Sequence, residues 1–141
     1  MNENTPSTVS GDPIVISAAR WFWWIAGLSL VNTVLHYAGS NTSFVIGLGL
    51  TTLATFYFAQ QIVLAAFACF VTIGFYFAVG LYAQRGRLWA FYLGLAVYVL
   101  DALIFLMFED WMSVGFHALA IFFIVKGVMR LRQSTGDSAP A

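Results

Sequence analysis

The sequence predicts an all-α membrane protein: a four-helix transmembrane bundle with a short outer interfacial or re-entrant helix. Three observations carry this. The 141 residues are 61% hydrophobic and only 9% charged, with a mean hydropathy of +0.85, far more apolar than soluble domains, which carry roughly 25% charged residues. Four segments reach the ~20 mainly apolar residues that a spanning helix needs, at residues 18–39, 62–83, 88–108 and 112–131. The basic residues, finally, fall on one side of that arrangement.

Residues 1–13 are polar and slightly acidic, with no basic stretch ahead of a short apolar core. They read as a disordered cytoplasmic tail, not a cleavable signal peptide. The single transmembrane domain follows over residues 14–132. Its first span carries Ser29, Asn32 and His36, spaced three and four apart, which forms one polar stripe on a helix.

Residues 44–59 are apolar but short for a span, contain Gly47, Gly49, Thr51, Thr52 and Thr55, and lead into Gln60 and Gln61. Lys and Arg collect on the cytoplasmic side of membrane proteins. If residues 44–59 do not cross, Arg20, the Arg85 and Arg87 loop, and the Lys126, Arg130 and Arg132 end share one face. If they did cross, those groups would be divided between the two sides. Four spans with both termini cytoplasmic, in a plasma (inner) membrane, is therefore the expected topology. Trp21, Trp23, Trp24 and Trp89 mark its inner boundary, and Trp111, beside Glu109 and Asp110, marks the outer one.

The second span holds the lone Cys69, which excludes an internal disulfide and any Cys-based zinc or redox motif. Small residues suggest close packing through Ala66, Gly74 and Ala78 in this span, and through Ala90 and Gly94 in the third. Short connections at residues 84–87 and 109–111 make spans two, three and four consecutive antiparallel neighbours. Residues 133–141 form the second disordered cytoplasmic tail.

Asp101 is the only acid within the third span, and ionisable groups in hydrocarbon are costly enough to mark a functional site. At a helix rise of ~1.5 Å per residue, Asp101 lies roughly 10 Å below the outer boundary and His117 of the fourth span roughly 7 to 8 Å below it. Polar groups from all four spans thus gather in the outer third. They define a candidate ligand-binding set of Asp101, His117, His36, Asn32, Ser29, Tyr98, Gln60 and Gln61 around an outward-facing pocket for a small ligand or metal.

His36, Asp101 and His117 supply the ligand types of a divalent metal site, without a local motif such as HExxH. Haem held axially by the two histidines ranks below it, because their depths differ and aromatic side chains crowd the region. Asp101, His117 and Ser113 or Ser29 provide acid, base and nucleophile types, but no nucleophile-elbow motif joins them. Two non-catalytic readings compete with the pocket. One is a structural or assembly subunit whose buried polar residues only fix helix packing. The other is a proton-coupled transporter or channel subunit, which would need a homo-oligomer to make room for a path. The expected partners are the lipid bilayer and further copies of the chain. A net charge of zero carries no nucleic-acid signal.

Overall fold

The computed structural model describes residues 11–40 and 48–136. It contains five helices: α1 (Pro13–Tyr37), α2 (Gly49–Tyr57), α3 (Ile62–Gln84), α4 (Leu88–Met107) and α5 (Trp111–Gly136). No strand occurs among the described residues. All but α2 are long and apolar enough to cross a membrane. The protein is thus an α-helical bundle of the transmembrane type with one short additional helix.

The helices α3 and α4 match their hydrophobic runs to within one residue, whereas α1 and α5 extend beyond theirs. Asp12 accepts the Ile14 N–H at 2.8 Å and Pro13 occupies the first turn, so α1 starts well ahead of its apolar run. At the other end of the sequence α5 continues to Gly136, making residues 133–136 of the expected tail helical. Residues 1–10 and 137–141 of the two expected tails, and residues 41–47 at the start of the expected short helix, lie outside the described residues. Asp110 accepts from the Ser113 hydroxyl at 2.6 Å and the Ser113 N–H at 3.2 Å. These bonds hold its carboxyl below the usual carboxylate range and anchor the first turn of α5.

The α3–α4 turn closes through Gly86 at φ 72°, where a glycine adopts the left-handed backbone without steric penalty. The four long helices therefore alternate in direction. The start of α1, the α3–α4 turn and the end of α5 lie at one end of the bundle, and Arg130 Nε reaches Asp12 Oδ2 there at 2.8 Å. Arg20, Arg85, Arg87 and Lys126 belong to the same basic end, while Glu109 and Asp110 stand at the opposite one.

Within the bundle α1 packs on α3 and α5, α4 packs on α5 and α3, and α2 fits against α3 and α4. Phe22, Tyr76, Phe91 and Tyr98 form the aromatic centre, with ring centroids 6.0 to 6.4 Å apart. The small residues that permit this approach in α4 are Ala90 and Gly94, as the sequence suggests. In α3 they are not the expected set. Gly74 has no neighbour within 4 Å of a potential Cβ, and Ala66 and Ala78 are exposed. Ala65, Gly80 and Ala83 face the bundle instead. The two sets lie on different faces of one uniformly apolar helix, where polarity gives no direction inward.

Tyr76 is fully buried, and among the described residues its hydroxyl has no hydrogen-bond partner. Replacing Tyr76 with Phe removes an unsatisfied polar atom and keeps the ring. The expected result is a rise in thermal stability worth about 1 kcal/mol in a melting experiment on purified protein, since a buried unpaired hydroxyl costs ~1–3 kcal/mol.

Candidate functional site

The polar groups toward the acidic end of the bundle divide into a buried network and an open cleft, with α2 between them. Asp101 and His117, expected at similar depth, meet directly: His117 Nε2 lies 3.0 Å from Asp101 Oδ2, and both side chains are fully buried. On its other side His117 Nδ1 faces the Ser113 carbonyl at 2.8 Å. A carbonyl only accepts, so Nδ1 carries a proton and the orientation of the ring is fixed. Tyr98 stacks on the imidazole at a centroid distance of 4.4 Å and an interplanar angle of 17°, and Phe105 closes a second side at 5.1 Å.

Asp101 also accepts from the backbone of α2. The Gly49 N–H donates to Oδ2 and the Leu50 N–H to Oδ1, each at 2.8 Å. One residue earlier, the Leu48 N–H donates to Ser29 Oγ at 3.0 Å, while the Ser29 hydroxyl donates to the Ile25 carbonyl at 2.7 Å. Three consecutive N–H groups at the start of α2 are therefore satisfied by side chains of α1 and α4.

The depth of α2 makes this necessary. Asp101 sits six positions before the end of α4, roughly 9 Å below it at ~1.5 Å per residue, so α2 begins inside the apolar layer and rises over roughly 13 Å to the acidic end. The first N–H groups of any helix have no intrahelical acceptor, and without water each would cost several kcal/mol. Leu48 at the cap position supplies no side-chain bond. The Asp101 carboxyl group, from another helix, serves as the cap.

Gly49 permits the approach. A Cβ there would stand 3.1 to 3.2 Å from Phe105 and Ile104 of α4. On the other side Cys69 lies 3.7 Å from the Thr51 carbonyl, and the thiol is buried between α2 and α3.

The structure separates the expected ligand set accordingly. Asp101, His117, Ser29 and Tyr98 converge in the buried network. His36 is exposed and pairs edge-on with Tyr37 at 5.4 Å, in the last turn of α1 and away from Ser29. The two residues share a helix stripe, but seven positions along it amount to roughly 10 Å. Asn32 is partly buried between them, and Gln60 and Gln61 are exposed ahead of α3. Among the described residues no group of three His, Cys, Asp or Glu side chains is placed to hold a metal ion. The expected His36, Asp101 and His117 trio is thus not assembled, and backbone N–H groups occupy the Asp101 oxygens that a metal would use.

Above the network, α1, α2 and α3 border an open cleft of ≈530 Å³. His36, Tyr37, Thr52 and Thr55 contribute its polar lining, and Phe58 and Ile62 part of its apolar lining. The Thr55 hydroxyl donates to the Thr52 carbonyl at 2.8 Å. Nothing in the sequence distinguishes these threonines from helix-packing residues. Their role as lining follows from the placement of α2.

Comparison of the chain with protein-family models, with curated proteins and with solved structures gives no match.

Proposed function

We propose that this chain is a multi-pass plasma-membrane protein, with both termini cytoplasmic, that binds a small organic ligand in the outward-facing cleft walled by α2. The observation that carries this reading is the combination of that ≈530 Å³ cleft with a wall held rigidly from behind. Small-molecule sites are concave, mainly apolar and supplied with a few placed polar groups, within ~300–1,000 Å³. His36, Tyr37, Thr52 and Thr55 offer hydroxyl and imidazole groups over an aromatic and aliphatic surface. That lining suits a neutral amphipathic molecule with an aromatic or alicyclic body and one or two hydrogen-bonding substituents. Asp101, His117 and Ser29 act as positioning residues for α2.

A panel of such molecules, tested by thermal shift on the purified protein in lipid nanodiscs, checks the proposal. A stabilising compound is expected to lose roughly tenfold in affinity with Thr52→Val or His36→Ala, which corresponds to ~1.4 kcal/mol. Equal binding by wild type and both variants would remove the cleft as the site.

A second reading, the assembly or structural subunit, is favoured by one specific feature. Both oxygens of Asp101 are engaged by groups of the chain itself. Under that reading no compound distinguishes wild type from the Thr52 and His36 variants, whereas loss of Asp101 changes oligomeric state on size-exclusion chromatography. The orientation has a separate check. Cysteine labelling introduced at Asp110 is expected from outside the cell and at Gly86 only after the membrane is opened.

A further inference from the structure

At the opposite end of the bundle, one face of α1 carries Ser17, Arg20, Trp21, Trp24 and Leu28, in which Ser17, Trp21, Trp24 and Leu28 recur every three or four residues and Arg20 stands beside Trp21. This face borders a depression of ≈470 Å³. A second depression of ≈210 Å³ lies against it, shares Ser17, and is bounded on α5 by Phe123 and Lys126. Trp21 and Phe123 stack at 5.2 Å and 10°, which ties the two helices together between the hollows. Two cations, Arg20 and Lys126, therefore flank one aromatic ridge. Among the described residues neither makes an ion pair, whereas the neighbouring Arg130 is held by Asp12 at 2.8 Å. Among the described residues the one acid nearby is thus already matched, and these residues leave the groove positively charged.

The order of side chains along the groove is as informative as the charge. Hydroxyl and guanidinium at Ser17 and Arg20 give way to the indoles of Trp21 and Trp24, then to Ile25 and Leu28, over roughly 16 Å of helix. A membrane lipid presents the same sequence of phosphate, ester and acyl chain from the surface inward. Indole rings settle at the ester level, and basic pockets between helices recruit anionic headgroups.

We infer that the α1/α5 groove binds an anionic glycerophospholipid, with its phosphate between Arg20 and Lys126 and an acyl chain along Trp24 and Leu28. A free phosphate would use the cations and leave the aromatic and aliphatic slot empty.

Native mass spectrometry of the full chain from mixed micelles of equimolar phosphatidylglycerol and phosphatidylcholine tests this. Each cation near an anionic headgroup is worth roughly fivefold, so the expected preference for retained phosphatidylglycerol is roughly tenfold or more. Arg20→Gln with Lys126→Gln brings the ratio to parity, and Trp24→Ala lowers retention of both lipids. The charge-conserving pair Arg20→Lys with Lys126→Arg keeps the preference, which separates loss of binding from loss of fold. Arg85→Gln with Arg87→Gln, in the exposed α3–α4 turn, also keeps it. Parity in the wild type, an unchanged preference in the double Gln variant, or equal loss in the turn variant would overturn the assignment. Displacement of bound phosphatidylglycerol by millimolar glycerol 3-phosphate would overturn the acyl-chain slot.

Discussion

Replacing Asp101 with Ala is expected to detach α2 from the bundle and to expose Cys69 to thiol reagents. The variant leaves the Gly49 and Leu50 N–H groups and His117 Nε2 without their acceptor, all within the apolar layer. Each buried polar group left unpaired costs ~1–3 kcal/mol. Asn at the same position keeps one oxygen, but its amide NH2 must face either the Gly49 or the Leu50 N–H. One donor is then left unpaired, at ~1–3 kcal/mol. Ser29→Ala, which abandons only the Leu48 N–H, belongs with the Asn variant.

Cys69 makes this series measurable without engineering a probe. It is the only cysteine in the chain, is 1% exposed, and contacts the Thr51 carbonyl. Every opening of α2 uncovers it, and each 1.4 kcal/mol lost from the closed state raises the open population about tenfold. Maleimide labelling is thus expected to accelerate at least a hundredfold in Asp101→Ala and severalfold to tenfold in Asp101→Asn and Ser29→Ala. Arg85→Gln serves as the unaffected control. A labelling rate and melting temperature unchanged by Asp101→Ala would show that α2 is held by something other than this carboxylate.

Much of this arrangement is legible in the sequence. Hydrophobic runs long enough to span a bilayer indicate the bundle, and counting from the loops brings Asp101 level with His117 because both helices are regular and their connection is short. The partner of Asp101 is a different matter. Its closest ligands are the N–H groups of Gly49 and Leu50, and backbone donors occur at every non-proline residue with no sequence signature. Gly49 is the one hint, since a short helix with glycine at its start is built to approach something closely. His36 illustrates the opposite error. A shared stripe with Ser29 suggests a shared site, but helical periodicity reports the angle around the axis and says nothing about reach across several ångströms of helix length.

The second large effect concerns the contact between α1 and α5, and it distinguishes a glycine that fixes packing from one that does not. A Cβ on Gly127 would collide with the Cβ of Ala18, with Phe91 Cε1 at 3.6 Å and Ala18 Cα at 3.7 Å behind it. The Ala18 methyl has no torsion through which to withdraw, so Gly127→Ala forces the two backbones apart. Separation weakens the Trp21–Phe123 stack and the Arg130–Asp12 bond beside it. The expected loss is ~1–3 kcal/mol, the usual result of overpacking a close contact.

Gly80→Ala collides chiefly with the indole of Trp23, a side chain 37% exposed that is able to rotate toward the lipid, and meets Phe22 Cβ less closely at 3.3 Å, so its expected loss is smaller. Gly74→Ala meets nothing within 4 Å and is expected to match or exceed wild type, because Ala favours helix over Gly by ~1 kcal/mol. Melting temperatures in nanodiscs should therefore fall in the order Gly74→Ala, Gly80→Ala, Gly127→Ala. Combining Gly127→Ala with Ala18→Gly transfers the methyl from one helix to the other, and the pair is expected to recover most of the loss. Additive destabilisation in that double variant would mean that the Ala18–Gly127 contact does not set the spacing of the two helices.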